Sequence, residues 1–397
     1  MSPRPGAGVL NPLDLAGVDD ELSDDEKAVR TAVRQLCAAH VDPYVAEWFE
    51  AGSILDVHAL ARELGSLGLF GMHLQGYGCA AMSATDYGLA CLELEASDSG
   101  IRSLVSVQGS LAMFAIWRFG SEDHKQRWLP PMATGEAIGC FGLTEAEHGS
   151  DPSGMRTRAR RERGDWVLDG SKMWITNGSV ADVAVVWAQT DQGMRGFVVP
   201  TDTPGFSATG IKHKMSLRAS VTSELILNGV RLPADAMLPE ARGLGSPLSC
   251  LNEARYGIVW GAMGAARSSL SAALAYAGDR EQFGKPISAF QLTQQKLVDM
   301  GLELAKGTLL ALHLGRRKDT GRLAPEQVSL GKLNNVRAAL EICRTARTIL
   351  GANGISLEYP VMRHMNNLES VLTYEGTVEM HTLVLGQVMT GHAAFRG

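Results

Sequence analysis

The chain has 397 residues, of which 45% are hydrophobic and 20% charged, and its formal net charge is −6. These values are ordinary for a globular protein of about two or three domains with a sizeable core. The acidic balance argues against nucleic acid or an anionic membrane as the main partner. No run reaches the ~18 apolar residues of a membrane span, and residues 1–20 lack a secretory pattern, so we expect a cytoplasmic protein.

The cysteine and histidine residues indicate neither a disulfide framework nor a metal centre. The six cysteines are scattered along the chain and form no C-x-x-C pair, which favours free, mostly buried thiols in a reducing compartment. The ten histidines form no H-E-x-x-H pattern, which argues against a zinc hydrolase. No metal site is predicted.

The first third of the chain has the pattern of packed helices. Ser23 and Glu26 form a capping-box pattern before an amphipathic stretch. Further helical patterns follow at 56–68, 84–98, 102–118 and 121–133, and Gly and Pro residues punctuate them. We predict an N-terminal α-helical domain over residues 1–136.

The pattern changes to short β-rich runs after residue 136. The runs alternate with residue pairs that are typical of turns or hairpins, namely Asp169-Gly170, Asn177-Gly178 and Asn228-Gly229. A domain of this size suits the composition. We predict a middle β-domain over residues 137–245.

Helical periodicity returns after Gly245 in four long segments. They cover 247–281, 288–318, 325–350 and 368–394, with Gly and Pro residues between them. Long segments with short connections are typical of an antiparallel four-helix bundle. The prediction is a C-terminal bundle domain over 246–397 and, for the whole chain, a mainly α protein with a central β-domain.

Two patches in the β-rich region could bind a ligand. Residues 140–151 pass from an apolar run into a Gly-containing loop whose backbone amides could meet a ring or a phosphate, although such transitions are common without a ligand. Trp174 and Thr176 could cover a flat cofactor and hydrogen-bond its edge. A core Trp beside a satisfied Thr is the alternative.

Two further patches lie near helix ends. Arg280, Gln282 and Phe283 offer a charge, an amide and a stacking face, but solvated charges at a helix end would give the same pattern. Glu375 precedes Gly376 near the start of the last helix, where backbone N–H groups can hold an anion or polarise a carbonyl. A glutamate in a first helical turn can also simply favour the helix dipole.

Taken together and in this order, the patches resemble those of the acyl-CoA dehydrogenase family over residues 22–395. The resemblance implies an N-terminal helical domain, a middle β-barrel-like domain and a C-terminal four-helix bundle. It also implies FAD as cofactor, an acyl-CoA as substrate and Glu375 as catalytic base. The FAD contacts that it implies are Leu143, Thr144, Ser150, Trp174, Thr176, Arg280, Gln282, Phe283 and Thr377.

The same resemblance gives some of these residues a second role. Ser150 is expected at the junction of flavin and thioester, and Arg255 in the CoA site. Arg280, Gln282 and Phe283 are expected to reach FAD in a neighbouring subunit, which implies a homo-oligomer, usually a tetramer.

Within the family, residues 98–108 resemble the segment that binds the distal carboxylate in the members that act on glutaryl-CoA. Arg102 matches the guanidinium that pairs with this carboxylate. Burying a carboxylate is costly unless such a bidentate donor pairs with it. The alternative is that Arg102 is a surface residue at a helix start, which the sequence at this position allows equally. The other matched residues of that pocket are Glu95, Ser103, Ser106 and Tyr374.

Some positions depart from the family's pattern. The doubled glycine is replaced by Gly351-Ala352, and the Pro-Asn after the Leu-Thr-Glu motif by Ala146-Glu147, which leaves some FAD and substrate contacts open. Ala254 stands where branched- and long-chain relatives carry the base, which leaves Glu375 in that role.

The function that the resemblance implies is oxidative decarboxylation of glutaryl-CoA to crotonyl-CoA and CO2, as in lysine and tryptophan degradation. An electron-transfer flavoprotein would take the electrons. One alternative is dehydrogenation of another short-chain acyl-CoA, or of glutaryl-CoA without decarboxylation. More distant alternatives are an acyl-CoA oxidase or flavin monooxygenase, and a flavin- or acyl-CoA-binding protein without activity.

Overall fold

The computed structural model describes residues 10–394, and the sequence interpretations that reach 1–9 or 395–397 lie outside that range. The N-terminal helices are α1 (Asp24–His40), α2 (Val45–Ala51), α3 (Val57–Ser66), α4 (Ala84–Ser97), α5 (Ser99–Ser106), α6 (Phe114–Phe119) and α7 (Glu122–Ala133). A π-helical turn joins α5 to α6 within the predicted stretch 102–118, and α2 has no counterpart among the predicted segments.

The predicted capping box starts α1. The Glu26 backbone N–H donates to the Ser23 hydroxyl at 3.2 Å, and the Ser23 N–H donates to the Glu26 carboxylate at 2.9 Å. Two N–H groups that the first helical turn leaves without partners are thereby satisfied.

A seven-stranded sheet follows the N-terminal helices. The strands are β1 (Gly139–Gly142), β2 (Arg158–Glu162), β3 (Asp165–Thr176), β4 (Val183–Thr190), β5 (Gly193–Pro200), β6 (Phe206–Gly210) and β7 (Thr222–Leu232). Their order in the sheet is β1-β4-β2-β3-β7-β6, with β5 on β4. Strand β4 pairs in parallel with β1 and β2, and the other pairings are antiparallel.

Two of the three predicted turn pairs were wrong. Asn177-Gly178 lies in a turn after β3, but Asp169-Gly170 lies inside β3 and Asn228-Gly229 inside β7. The register of β3 against β7 shifts between Leu168 and Gly170, as at a β-bulge. A Cβ on Gly170 would lie 2.5 Å from the Thr157 hydroxyl, so this glycine permits close approach of a neighbouring strand.

The C-terminal part contains five helices where four were predicted. Residues 374–377 interrupt the segment predicted over 368–394, and the helix before this break begins at Pro360. A short β8–β9 hairpin (Glu281–Gln282 and Lys285–Pro286) joins the first two helices. The helices are α8 (Gly245–Asp279), α9 (Gln291–Asp319), α10 (Pro325–Leu350), α11 (Pro360–Thr373) and α12 (Val378–Thr390).

The order helices, sheet, helices is as predicted, and the domain boundaries at 136/137 and 245/246 stay predictions. Within residues 10–394, none of the helices combines the length and apolar character that crossing a membrane requires. All six cysteines are free, as predicted, and burial raises the pKa of the Cys91 thiol to about 12. Burial raises the pKa of the other five thiols as well, so all six are protonated at neutral pH.

Helices α4 and α8 cross at very short range in the main core. The ring of Trp260 on α8 packs against Gly88 of α4, where a Cβ would lie 2.3 Å from the indole. A Cβ on Gly264 of α8 would lie 1.9 Å from the Leu92 carbonyl oxygen of α4. The two backbones therefore come together only because these positions carry no side chain.

This contact predicts opposite effects for two glycine substitutions in α8. Gly264→Ala should destabilise the protein by about 1–3 kcal/mol or more, because α4 must move away. Gly278→Ala, at a position with no atom within 4 Å of the added Cβ, should stabilise it by about 0.5–1 kcal/mol through helix propensity. The melting temperatures of the two variants test this, and equal shifts would contradict the tight crossing.

Candidate functional site

The break between α11 and α12 places Glu375 in a backbone conformation that side chains rarely adopt. Glu375 has φ +52° and Gly376 has φ +101°, so the α-helix cannot continue through them. The Thr377 hydroxyl caps α12 by accepting from the Met380 N–H at 3.3 Å. A left-handed, non-glycine residue persists only where its surroundings hold it.

Two buried cations hold this turn by its carbonyl groups. The Lys332 ammonium of α10 donates to the Gly376 carbonyl at 2.5 Å and also to the Tyr374 carbonyl. The Arg255 Nε of α8 donates to the Glu375 carbonyl at 2.6 Å. Three successive carbonyls, which no helix satisfies, therefore receive charge-assisted hydrogen bonds.

The Glu375 carboxyl group has one buried oxygen, although the residue as a whole is half-buried. Its Oε2 atom is buried and has no hydrogen-bond partner among the described residues. Burial raises the pKa of Glu375, and the positive charges of Arg102, Lys332 and Arg255 oppose this rise. A carboxylate with a raised pKa and a free oxygen is a candidate general base.

Arg102 is completely buried, so its interpretation as a surface residue at a helix start was wrong. Its Nε donates to the Glu95 carboxylate at 2.7 Å, and its Nη2 donates to the Tyr374 hydroxyl. Burial acts to lower the pKa of Arg102, but the nearby Glu95, Tyr374 and Glu375 outweigh it, and the pKa is raised. Its Nη1 is buried without a partner in the part of the chain that the structure describes.

The serines predicted for this pocket lie beside Arg102. The Ser103 hydroxyl is 3.2 Å from the Tyr374 hydroxyl. Ser106 is one helical turn from Arg102 on the same face of α5, and its hydroxyl is buried without a partner within residues 10–394. Arg102 Nη1 and the Ser106 hydroxyl are therefore two buried polar groups without a hydrogen-bond partner within residues 10–394.

The charges of this cluster do not balance. Three cations (Arg102, Arg255 and Lys332) accompany two carboxylates (Glu95 and Glu375), which leaves one positive charge in excess if all are ionised. Excess charge in a desolvated site is costly unless a counter-charge enters. The site is therefore suited to a ligand that carries a negative group.

A second group of predicted residues lies where β1 ends beside β3. The fully buried Lys172 ammonium donates to the Leu143 carbonyl at 3.1 Å and to the Glu145 carboxylate at 2.8 Å. The Thr144 carbonyl accepts from the Met173 N–H at 2.9 Å. These bonds fix the strand end that the sequence predicts as part of a cofactor site.

Trp174 projects from a bulge in β3 and does not lie in the core. Its φ is +64°, the register shifts between Lys172 and Ile175, and the side chain is 59% exposed. Thr176 is half-buried two residues further on. A large exposed aromatic face beside a hydroxyl is suited to a flat, polar-edged ring.

Four other predicted residues are not brought to the Glu375 cluster. Ser150 is exposed in the loop after Glu145 and makes no side-chain hydrogen bond within the described chain. Phe283 lies at the tip of the β8–β9 hairpin and is 94% exposed, with Arg280 and Gln282 exposed beside it. Their predicted contacts with FAD, in the same or a neighbouring subunit, stay predictions.

The sequence interpretation missed Lys332, Lys172 and Glu145. Lys332 interrupts an apolar stripe of α10 in which Val328 and Val336 lie one turn to either side. A lysine on a buried helix face requires a partner, and that pattern was the available signal. Within residues 10–394, no group of three or more His, Cys, Asp or Glu side chains could hold a metal ion.

Comparisons with known proteins agree with this arrangement. Three family models match the chain. They are described as "Acyl-CoA dehydrogenase, N-terminal domain" (residues 23–136), "Acyl-CoA dehydrogenase, middle domain" (residues 140–230) and "Acyl-CoA dehydrogenase, C-terminal domain" (residues 241–390). The chain is 69% identical to a glutaryl-CoA dehydrogenase of Mycobacterium smegmatis, with a TM-score of 0.96 over 97% of this chain and 100% of that one.

Two further relatives extend the comparison. A second glutaryl-CoA dehydrogenase structure of Mycobacterium smegmatis, in complex with FADH2, is 62% identical over 97% of this chain and 99% of that one, with a TM-score of 0.95. The human mitochondrial short-chain specific acyl-CoA dehydrogenase is 36% identical over 334 residues, or 82% of this chain and 81% of that protein.

The Glu145–Lys172 pair predicts a pH-dependent stability. Burial acts to raise the pKa of Glu145, but hydrogen bonds from the Arg156 N–H and from Lys172 hold it at about 2, below its ordinary 4.5. Glu145→Gln should cost about 3–5 kcal/mol at neutral pH, because it leaves Lys172 buried and unpaired. A depressed carboxyl pKa stabilises the fold above pH 4.5, and this contribution is lost as the pH falls toward 2.

Melting temperatures over a pH series measure the difference in stability between the wild type and Glu145→Gln. This difference should become smaller below pH 4.5. Glu147→Gln is the matched control, since Glu147 pairs with Arg156 at the exposed surface. It should change the stability by less than about 1 kcal/mol. A constant gap between wild type and Glu145→Gln at every pH would contradict the prediction.

Proposed function

Because the chain belongs to the acyl-CoA dehydrogenase family, we propose that it oxidises and decarboxylates glutaryl-CoA, with FAD as cofactor and Glu375 as base. The observation that carries this substrate is the Arg102 guanidinium, which is fully buried, lies beside the base and has an unpartnered Nη1 among the described residues. The similarity to glutaryl-CoA dehydrogenases supports the proposal.

A carboxylate at the far end of the acyl chain would complete this pocket. It would accept hydrogen bonds from Arg102 Nη1 and the Ser106 hydroxyl, and it would cancel the excess positive charge. A monocarboxylic acyl chain would leave both donors buried and unpaired, which opposes its binding. Glu95 and Tyr374 hold the guanidinium through its Nε and Nη2 atoms, and the Ser103 hydroxyl is within hydrogen-bond distance of the Tyr374 hydroxyl.

Proton abstraction is the step that Glu375 performs in this proposal. The α-proton of a thioester is weakly acidic, so the base must be strong and the developing enolate must be stabilised. Burial raises the basicity of Glu375, while Lys332 and Arg255 keep the carboxylate form accessible. The Glu375 backbone N–H is the donor that we assign to the thioester carbonyl, and Arg255 is assigned to the CoA site.

The residues present suit FAD. The exposed indole of Trp174 offers a face for the flavin ring, and the residues that would surround it are Leu143, Thr144, Ser150, Thr176 and Thr377. When bound, FAD supplies a hydride acceptor for the β-carbon.

The exposed Phe283, together with Arg280 and Gln282, is assigned to the FAD of a neighbouring subunit, so the working enzyme is a homo-oligomer, most simply a tetramer. An electron-transfer flavoprotein is the proposed electron acceptor.

Decarboxylation follows from the chemistry of the oxidised product. Glutaconyl-CoA carries its carboxylate one carbon from the double bond, so the electrons of the breaking C–C bond pass into the conjugated thioester. Protonated Glu375 then returns its proton to the resulting dienolate, which gives crotonyl-CoA and CO2. Arg102 remains paired with Glu95 when the carboxylate departs, so its charge is not left without a partner.

The substrate assignment predicts a selective loss in Arg102→Gln. Turnover of glutaryl-CoA, measured as kcat/KM with an artificial electron acceptor, should fall by at least about 100-fold, since a charged hydrogen-bonded pair is removed. Turnover of butyryl-CoA should fall by less than about tenfold. Equal losses for both substrates would show that Arg102 does not bind the carboxylate.

Arg102→Gln also leaves Glu95 buried without its cation, so the double variant Arg102→Gln/Glu95→Gln is the control for folding. It should bind FAD and melt near the wild-type temperature, yet show the same selective loss. A double variant that recovers glutaryl-CoA turnover would sink the assignment.

The reaction itself predicts a defined product. Glutaryl-CoA incubated with the enzyme and an electron acceptor should give crotonyl-CoA and one equivalent of CO2, identified by mass and by carbonate trapping. Accumulation of glutaconyl-CoA would restrict the function to dehydrogenation. Glu375→Gln should bind FAD but form neither product, because the amide cannot take the proton.

A further inference from the structure

We infer that Lys332 is a positioning residue for Glu375. Its buried ammonium bridges the Tyr374 and Gly376 carbonyls and fixes the conformation of the turn that orients the Glu375 carboxylate. The same positive charge favours the ionised form of Glu375. The inference deepens the proposed function and rests on Glu375 being the base. Lys332 is 1% exposed and lies on α10, 43 positions before Glu375, outside every motif of the chain.

The backbone conformation of the turn requires groups that hold its carbonyls in place. Glu375 and Gly376 both have positive φ, and each peptide plane beside Glu375 must keep its orientation for the carboxylate to stay in the acyl pocket. Lys332 binds the Tyr374 carbonyl in the peptide plane before Glu375 and the Gly376 carbonyl one plane further on, while Arg255 binds the Glu375 carbonyl in the plane between these two. Rotation of either outer plane would break a bond to Lys332 and leave a buried carbonyl unpaired.

A side chain at Gly376 would collide with His381, so the turn has little room to relax. A Cβ at this position would lie 2.7 Å from the His381 Nε2 atom. His381 belongs to the first turn of α12, and burial lowers its pKa to about 3. It is neutral at physiological pH and adds no charge to the site.

Lys332 is also the adjustable charge around the base. The charged groups that face Glu375 are Arg102 from α5, Arg255 from α8, Lys332 from α10 and Glu95 from α4, with the Tyr374 phenol between them. Arg102 is paired with Glu95, and both arginines stay protonated at any working pH. Burial lowers the pKa of Lys332, so among these three cations its charge is the most easily lost.

Removing the Lys332 charge should make Glu375 harder to ionise. The ammonium lowers the pKa of Glu375 against the effect of burial, so its loss raises that pKa further. Since the base must be ionised to take a proton, the acidic limb of the rate profile should move to higher pH.

The test compares Lys332→Met, Lys332→Gln and Lys332→Arg in the full-length holoenzyme. With saturating glutaryl-CoA, Lys332→Met should lower kcat at pH 7 by at least about tenfold, change KM by less than about threefold, and move the acidic limb up by about one pH unit. Lys332→Gln, also neutral, should show the same displaced limb. Lys332→Arg keeps the charge and should restore the limb to the wild-type position.

Val336→Ala is the matched structural control. Val336 is buried on the same face of α10, one turn beyond Lys332, and does not bind the turn. It should lower the melting temperature without moving the acidic limb. A limb displaced equally by Val336→Ala, or not displaced by Lys332→Met and Lys332→Gln, would overturn the inference.

A crystal structure of the Lys332→Met holoenzyme gives a readout that does not depend on turnover. Glu375 should leave the left-handed region or lose a single well-defined conformation, and an unchanged turn would overturn the positioning role. A wild-type enzyme that turns over no acyl-CoA would instead overturn the proposed function. In that case the crystal structure alone decides the role of Lys332.

Discussion

The structure depends on one constraint: several charged side chains are buried at the break between α11 and α12, and each must find a partner there. Arg255 and Lys332 reach the break from α8 and α10, and Arg102 from α5. Breaking any of these pairs would leave a desolvated charge, which is far more costly than the loss of a surface pair. Helices α5, α8 and α10 therefore have to converge on this break.

The same constraint explains the close packing of α4 on α8. Glu95 on α4 neutralises Arg102, and a Cβ on Gly261 of α8 would lie 2.1 Å from the Glu95 carboxylate. The absence of a side chain at Gly261 leaves the space that this carboxylate occupies. Sequence features that look like simple helix packing, such as the glycines of α8, thus help to place a charged group at the site.

The long helices could be predicted from the sequence because their periodicity, caps and Gly or Pro breaks are local signals. The break at residues 374–377 lies inside the segment predicted over 368–394, although Gly376 and Thr377 are residues that favour a helix end and an N-cap. It is produced by donors 120 and 44 positions away in the chain, on Arg255 and Lys332. The turn pairs inside β3 and β7 failed for a related reason, because pairing between these strands overrides the local turn preference.

The candidate site was predictable only where several motifs occurred together. Arg102 alone was equally compatible with a surface position, because burial is decided by the helices that cover it and leaves no mark at one residue. Lys332 belongs to no motif and is a single lysine on a buried helix face, while Lys172 begins the segment that contains Trp174 but has no predicted role of its own. A buried lysine indicates that a partner is needed, but the partner lies elsewhere in the chain and cannot be identified from that residue.

The proposed substrate couples recognition to catalysis through these charges. In the free site the positive charge of Arg102 lowers the pKa of Glu375. A carboxylate bound to Arg102 would offset that effect and exclude water, and both changes raise the basicity of Glu375 when the α-proton is in place. A shorter, uncharged acyl chain would leave Arg102 Nη1 without an acceptor and would not raise the pKa of Glu375 in this way. The residue that selects the substrate would therefore also adjust the strength of the base.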